Sequence, residues 1–303
     1  MSDVAAPLSP AGVPEPAGRV WRAGAGRLER AGLPSPEADA RTLLAWALGV
    51  EPSALVACRV DAATAERFAR LVAERAAGVP VQYLTGEACF RTVRLRVGPG
   101  VFIPRPETEA LAGWAIRCLT DRGTAAGPAP VVVDLAAGSG AISLAIAAER
   151  PGCEQCAVEI DPVAFGYLQA NLRPPLSGGK PVRLVRGDAA DALPDLDGRV
   201  DLVVSNPPYI PERDRHLVAA DVLAHEPALA LFSGPDGLDG LRVVARTAAR
   251  LLRPGGWLGV EHDETTGEAA VAHLAATGVF GRIEDHRDLA GRPRFVTARK
   301  LAG

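Results

Sequence analysis

The 303-residue sequence predicts an α/β protein, in which a doubly wound, mainly parallel sheet follows a small helical domain. Three observations predict this fold. From Pro106 onward, short apolar runs of strand length alternate with segments of helical spacing, as in a parallel sheet covered by helices on both faces. Before that point, residues 19–78 show only helical periodicity. The length also corresponds to roughly two domains.

The composition excludes several classes of protein. Hydrophobic residues make up 48%, and the 32 Gly and 26 Pro together stay below the roughly 25–30% that marks low-complexity chains. The 33 Lys and Arg against 36 Asp and Glu leave a formal net charge of −3, which argues against a nucleic-acid coat protein. No segment has the roughly 18 uninterrupted apolar residues of a membrane-spanning helix. We therefore expect a cytoplasmic protein without membrane contact.

The N-terminal part is predicted to be a tail, a helical domain and a hairpin. Residues 1–18 are rich in Ala and Pro, lack a secretory signal, and are expected to be disordered. In the helical domain, residues 19–85, Ser35 and Asp61 are expected to cap helices. Residues 90–97 alternate in polarity like a strand, Gly98-Pro99-Gly100 reads as a turn, and residues 101–103 read as a second strand. A β-hairpin is therefore expected within residues 86–103.

The remaining elements follow in the order that a doubly wound sheet requires. Residues 123–130 read as a linker rich in Gly, Pro and Ala. Before and after the linker, the sequence predicts a helix at 107–119, a strand at 131–133, a helix at 142–148 and a strand at 157–160. A helix after Asp161 and strands at 182–185 and 201–205 follow. The C-terminal part is predicted to contain a helix at 238–252, a turn at 253–256, a strand at 257–261, a helix ending at Gly278, and short strands near Phe280 and Phe295.

A turn of small residues follows the first strand of the sheet and is a candidate ligand loop. Gly138 and Gly140 allow close approach of a ligand to the backbone, and the next helix offers free N–H groups. The G-x-G-x-x-G order and the Gly-Lys-Ser/Thr of a P-loop are both absent. About 20 residues on, Glu159 is placed to bind ribose hydroxyls or to cap a helix. Asp188, after the third strand, either contacts an adenine amino group or lies in a solvated turn.

Asn206-Pro207-Pro208-Tyr209 follows the fourth strand and carries the strongest chemical signal. The prolines fix the backbone and remove two N–H donors, which leaves carbonyl acceptors. The Asn206 side-chain oxygen and the Pro207 carbonyl suit the two N–H groups of a planar nitrogen, and Tyr209 offers an aromatic face. The motif therefore predicts a site for an amide NH2 or an exocyclic amine.

With the glycine turn, this motif is similar to those of the S-adenosylmethionine-dependent amino-methyltransferases, which act on adenine N6 of DNA or on glutamine. Five further segments carry characteristic residues: 82–87, 102–109, 225–231, 234–238 and 287–292. With them the chain resembles the HemK/PrmC family from the helical domain to the C-terminus. The resemblance implies a glutamine N5-methyltransferase of peptide chain release factors, with a seven-stranded Rossmann-like methyltransferase domain at residues 104–303 whose last strand is antiparallel.

The resemblance also implies roles for individual residues. Release factors would be the partners, without direct nucleic-acid, metal or membrane binding, and the helical domain would serve recognition. Asn206, Pro207 and Tyr209 would be catalytic. The glutamine would be bound by Asn206, Pro207, Pro208, Tyr209, Phe102 and Arg105, although Arg105 reads equally well as a surface salt bridge. S-adenosylmethionine would contact Ala136, Ala137, Gly138, Ser139, Gly140, Glu159, Asp188, Ala189 and Asn206.

The sequence departs from the family pattern at two places. Ala136 and Ala137 stand where the family usually has Gly-Thr, and Glu159 stands where it usually has Asp. The longer carboxylate is expected to change how the ribose is held.

Two other functions compete with this interpretation. An adenine N6-methyltransferase would need a basic region to track phosphates, whereas the helical segment mixes Arg with Glu and Asp. A noncatalytic nucleotide-binding scaffold would not need the Asn-Pro-Pro-Tyr set. The five cysteines include Cys153 and Cys156 at the spacing of a zinc half-site, but no second pair completes it, so a structural role is expected.

Overall fold

The computed structural model describes residues 14–120, 128–173 and 180–302. The chain divides into two compact units, Met1–Gly86 and Glu87–Gly303. Most of the expected disordered tail, residues 1–13, and most of the expected linker, residues 123–127, lie outside the described residues. In the described parts of the chain, no helix is both long and apolar enough to cross a membrane.

The first unit is a small helical bundle. Two short strands, β1 (Glu15–Pro16) and β2 (Arg59–Val60), pair antiparallel beside the helices α1 (Ala17–Arg30), α2 (Pro36–Leu48), α3 (Ala62–Ala76) and α4 (Val81–Thr85). Helices α1 and α3 approach closely at Gly24, where a Cβ atom would lie 2.5 Å from the Phe68 ring. Asp61 caps α3 by accepting from the Thr64 N–H, as expected, whereas the Ser35 side chain makes no capping hydrogen bond to α2.

Secondary structure in this unit includes residues that the sequence assigned to the tail. Residues 15–18 were assigned to the disordered tail, which is wrong, because β1 and the first turn of α1 occupy them. Ala17 is 1% exposed, and its N–H donates to the Cys58 carbonyl at 3.0 Å. A long-range backbone contact of this kind leaves no trace in local composition.

The hairpin lies earlier than predicted. It pairs β3 (Glu87–Phe90) with β4 (Val93–Arg96), and Phe90 faces Val93 across the turn. The predicted strand at 101–103 is absent, and Gly98-Pro99-Gly100 is not the turn of the hairpin. At the turn, Arg91 has a φ of +50, and its N–H donates a hydrogen bond to the Glu109 side chain. The Arg91 guanidinium donates two hydrogen bonds of 2.8 Å to the Glu149 carboxylate. These partners are distant in sequence, so the alternation over residues 90–97 reads as one strand.

A seven-stranded sheet forms the centre of the second unit, which confirms the predicted Rossmann-like α/β fold. In spatial order it runs β10 (Phe280–Arg287), β11 (Pro293–Lys300), β9 (Leu252–Glu261), β8 (Val200–Ser205), β5 (Val131–Leu135), β6 (Glu154–Glu159) and β7 (Arg183–Arg186). All neighbours are parallel except β11, which is antiparallel to both β9 and β10. The predicted turn at residues 253–256 lies inside β9 as an irregularity, with φ +75 at Gly255.

Helices cover both faces of the sheet. A cluster of buried apolar residues lies on each face of the sheet, and the neighbours Val132 and Val133 belong to different clusters. Successive side chains of a strand point to opposite faces, so both faces of this strand are buried. The cluster around Val132 takes apolar residues from α5 (Thr108–Thr120), α6 (Ala141–Glu149) and α7 (Pro162–Leu172). The cluster around Val133 takes them from α9 (Asp239–Leu251) and α10 (Gly267–Ala276), while α8 (Ala220–His225) lies in the segment between β8 and α9.

The strand order places a ligand crevice at the centre of the sheet. The chain moves from β5 outward to β6 and β7, then returns to β8 on the other side of β5. At such a reversal the loops after the central strands diverge and leave a cleft at their carboxyl ends. The turn of small residues follows β5 and Asn206 follows β8, so both candidate motifs lie at this position.

Candidate active site

The turn after β5 has the backbone of a ligand-binding loop. Ala136, Gly138 and Gly140 all have positive φ, at +56, +56 and +87. A Cβ atom on Gly138 would meet nothing within 4 Å, whereas one on Gly140 would lie 2.8 Å from Leu168. Gly138 therefore leaves open space, and Gly140 allows α6 to begin close against α7.

Two buried carboxylates border this turn. Asp134 accepts the Ser143 hydroxyl and N–H at Oδ2, at 2.7 and 3.1 Å, while its buried Oδ1 has no partner among the described residues. Burial raises the pKa of Asp134 to about 7. Glu159 accepts the N–H groups of Gly138 and Asp161, both at 2.8 Å, and burial raises its pKa as well.

The turn and the Asn-Pro-Pro-Tyr motif border one cleft. Asn206 donates from Nδ2 to the Thr108 hydroxyl oxygen at 3.1 Å, and no described residue uses its Oδ1. Gly240, near the start of α9, packs on the prolines, since a Cβ atom there would lie 2.7 Å from the Pro208 carbonyl oxygen. The cleft is lined by Gly100, Phe102, Pro104, Thr108, Asp134, Ala136, Ala137, Gly138, Ser139, Ala141, Ile142, Glu159, Ile160, Asp161, Ala164, Asn206, Pro208, Pro227, Leu229 and Ala230.

A third buried carboxylate lies behind the motif. Glu261 ends β9, whose Val260 pairs with Ser205 of β8, and only 1% of it is exposed. Neither of its carboxylate oxygens makes a hydrogen bond of good geometry with a described residue. Burial raises its pKa to about 7, while the nearby Thr108 and Tyr209 hydroxyls and the Arg294 charge lower it. Burial near Glu261 raises the pKa of Tyr209 in turn.

Arg105 joins two walls of the cleft. Its guanidinium forms a salt bridge with Glu226 and lies 4.8 Å from the centre of the Phe102 ring. Glu226 also accepts the Ile103 N–H at 3.3 Å, and only 1% of its side chain is exposed. The sequence left two roles open for Arg105, a substrate contact and a surface salt bridge. The structure shows a salt bridge, and its carboxylate partner is buried.

The structure brings together most of the predicted site residues. Phe102, Ala136, Ala137, Gly138, Ser139, Glu159, Asn206 and Pro208 line the cleft, whereas Arg105, Gly140, Asp188, Ala189, Pro207 and Tyr209 do not. The roles of both groups stay predictions. Asp188 follows β7 and accepts the Ala190 N–H at 2.8 Å.

Sequence reasoning missed Asp134, Thr108 and Glu261. Each gave a signal, since Asp134 precedes the glycine turn, Thr108 lies in a segment that carried the resemblance, and Glu261 ends a predicted strand. Outside the cleft, Cys153 and Cys156 are both buried, and burial raises the pKa of each thiol.

Comparison with known proteins shows to which family the chain belongs. Family models described as the PrmC N-terminal domain and the methyltransferase small domain match residues 19–86 and 116–250. A protein of Streptomyces coelicolor named release factor glutamine methyltransferase is 47% identical over 274 residues, which cover 90% of this chain and 94% of that protein. The chain belongs to the release factor glutamine methyltransferase family. Another member, from Mycolicibacterium smegmatis, is 45% identical over 91% of this chain and 94% of its own.

One relative of this chain has a name that differs from that of the release factor glutamine methyltransferase family. A protein of Streptomyces pristinaespiralis named 4-amino-L-phenylalanine/4-methylamino-L-phenylalanine methyltransferase is 41% identical over 84% of this chain and 85% of its own. The crystal structure of the hMettl16 catalytic domain in complex with MAT2A 3'UTR hairpin 6 shares the fold, with a TM-score of 0.52 and 14% identity over 68% of this chain and 75% of that one.

Proposed function

We propose that the chain transfers a methyl group from S-adenosylmethionine to the N5 amide nitrogen of the glutamine in the Gly-Gly-Gln loop of peptide chain release factors, in support of translation termination. Family members named for release factor glutamine methylation are 40–47% identical over 89–94% of this chain. The observation that carries the proposal at the site is Asn206, which lines the cleft with its Oδ1 left unused. A cytoplasmic location and a recognition role for the helical unit belong to the same proposal.

The acidic wall of the cleft fits S-adenosylmethionine. Asp134 has a buried, unpartnered oxygen suited to a cationic ligand, and Glu159 retains lone pairs for ribose hydroxyls beyond its two backbone donors. Gly138 leaves room for close contact with the backbone. Ala136, Ala137, Ser139, Gly140, Asp188 and Ala189 complete the proposed cofactor site. When bound, the cofactor supplies an electrophilic methyl group on a sulfonium.

The chain's own contribution to the reaction is orientation of a weak nucleophile. A primary amide nitrogen has a delocalised lone pair, so its geometry must be fixed before it can attack. Asn206 Oδ1 and the Pro207 carbonyl would accept its two N–H groups and stabilise the positive charge that develops on nitrogen. Such orientation contributes several kcal/mol, up to about 7–11 in ideal intramolecular cases. The proton then leaves to water.

The proposal is tested with the purified protein, labelled S-adenosylmethionine and a release factor. Label is expected on the release factor and is lost when its loop glutamine becomes alanine. Asn206→Ala should reduce turnover about 10²- to 10³-fold, because it removes a fixed dipole from the transition state. Its melting temperature should match that of the parent, and calorimetry should show that it still binds the cofactor. Near-normal turnover in this variant would contradict the role of Asn206.

A second candidate substrate is a free aryl amine, favoured by the relative from Streptomyces pristinaespiralis. An aniline NH2 is close to planar, and Asn206 and Pro207 would hold it as they would hold an amide. The same assay therefore includes 4-amino-L-phenylalanine and duplex DNA as competing acceptors. Label on the amino acid alone would favour this candidate, and label on the DNA would favour the adenine methyltransferase.

A further inference from the structure

The orientation of the Asn206 side chain has a structural cause outside the motif. A side-chain amide has an acceptor end and a donor end, and only the acceptor end can receive an N–H group of the substrate. Asn206 directs its donor end at Thr108, with 3.1 Å between Nδ2 and Oγ1. Reversed, the same side chain would offer two donors to a nitrogen that must itself donate.

The Thr108 hydroxyl has a single proton, and its surroundings decide where that proton goes. Thr108 begins α5 and is 3% exposed, so water contributes little to its hydrogen bonding. Glu261 is 1% exposed, the Thr108 and Tyr209 hydroxyls lie near it, and neither of its oxygens makes a hydrogen bond of good geometry with a described residue. An ionised Glu261 can only accept hydrogen bonds and needs donors where it is buried, so the Thr108 proton, like that of the nearby Tyr209 hydroxyl, is best placed on it. The hydroxyl oxygen then remains as an acceptor for Asn206.

We propose that Thr108 is a positioning residue, which donates to Glu261, accepts from Asn206, and so keeps the Asn206 oxygen directed at the substrate nitrogen. The proposal rests on the function proposed above. Three separate parts of the chain supply the three side chains, namely α5, the loop after β8, and β9, whose Val260 pairs with Ser205 of β8. Thr108 touches no reacting atom in this scheme and acts only through Asn206.

A spectroscopic test needs neither cofactor nor substrate. The chain contains two asparagines, Asn171 and Asn206, so ¹⁵N-asparagine labelling gives side-chain signals from two NH2 groups, one pair for each residue. Asn171 donates to the carbonyls of Arg96 and Ser139 at 3.0 and 2.9 Å and serves as the internal reference. In Thr108→Val, the Asn206 signal should shift and its protons should exchange faster, while the Asn171 signal stays in place. Thr108→Ser, which keeps the hydroxyl, should retain the parent signal.

Kinetics test the consequence for catalysis. Thr108→Val should lower kcat about 10- to 100-fold, because small errors in orientation have large effects on rate. KM for the release factor should stay within about twofold of the parent, since docking of a whole protein depends on many other contacts. Thr108→Ser should restore most of kcat. The matched control is Thr297→Val, another buried threonine with a side-chain hydrogen bond, which lies on β11 away from the cleft and should leave kcat unchanged.

The outcomes separate this proposal from the proposed function. An Asn206 signal that is unchanged in Thr108→Val, or a serine variant as defective as the valine variant, overturns the positioning role. A parent protein that does not methylate the release factor overturns the proposed function, and the spectroscopic test still decides the role of Thr108. Thr108→Ala repeats both measurements if the valine variant does not fold.

Discussion

Ala136 adopts a backbone conformation that side chains other than glycine rarely take. Its φ is +56 at the first position after β5, where the resemblance places a glycine. A Cβ atom in this region costs an L-residue about 1–2 kcal/mol. The departure from the family pattern therefore keeps the loop geometry but stores strain beside the cofactor site.

Replacing Ala136 with glycine should not destabilise the protein. Relief of the left-handed strain is offset by the greater freedom of glycine in the unfolded chain, so we expect a gain of zero to about 1 kcal/mol. Ala137→Gly, at a neighbour without positive φ, should instead lose about 0.5–1 kcal/mol. Urea unfolding of both variants gives the comparison, and equal losses would show that Ala136 is unstrained.

At the scale of elements, the cleft depends on two segments joined by the Glu226 carboxylate, which pairs with Arg105 and accepts the Ile103 N–H. Residues 102–104 form one side, and residues 227–230, with the short 3-10 turn Ala228–Ala230, form another. The Arg105–Glu226 salt bridge connects the two, and its carboxylate is the buried partner. Neither segment belongs to the sheet, so this contact contributes more to their position than strand pairing does.

Arg105→Ala should be costly because it leaves the Glu226 carboxylate buried without its cation. We expect a loss of about 2–4 kcal/mol in the free energy of unfolding, less than for a wholly buried pair because Arg105 is partly exposed. The control is Lys180→Ala, which breaks the exposed pair with Glu154 and should change stability by less than about 0.5 kcal/mol. Urea unfolding measures both, and a loss in Arg105→Ala no larger than the control would contradict the importance of this pair.

The sequence predicted the elements that local pattern specifies and missed those set by distant partners. The alternation of strands and helices and the Asn-Pro-Pro-Tyr motif were visible because their residues are contiguous. The hairpin register was not, since the turn at Arg91 depends on Glu109 and Glu149. Thr108 and Glu261 were missed for the same reason, because the packing of α5 on the sheet brings Thr108 to Asn206 and the pairing of β9 with β8 brings Glu261 there.

At the scale of the whole molecule, buried carboxylates make stability depend on pH. Asp134 and Glu261 have pKa values raised to about 7, mainly by burial. Each is protonated in the folded protein at pH values where the unfolded chain has already ionised. Their contribution to stability is therefore present below about pH 4–4.5 and is lost as the pH rises through about 7.

Glu261→Gln should remove its share of this dependence. Glutamine resembles the protonated acid but does not ionise. The difference in the free energy of unfolding between the variant and the parent should therefore grow in favour of the variant from pH 5 to pH 8, by an amount on the order of 3 kcal/mol. Among the groups that face Glu261, the Arg294 charge and the Thr108 and Tyr209 hydroxyls oppose the upward shift and Glu107 adds to it. His273 and His286, whose pKa burial lowers, act on both proteins alike. Parallel curves from urea unfolding at each pH would contradict the prediction.

The position of β11 has a consequence for how the protein is made. Within the described chain, β10 pairs in the sheet only with β11, and β11 is the strand that joins it to β9. During synthesis β10 is therefore made before the strand it pairs with exists. The parallel strands can assemble while translation continues, but one edge of the sheet stays open, with its backbone groups exposed, until residue 300 has left the ribosome.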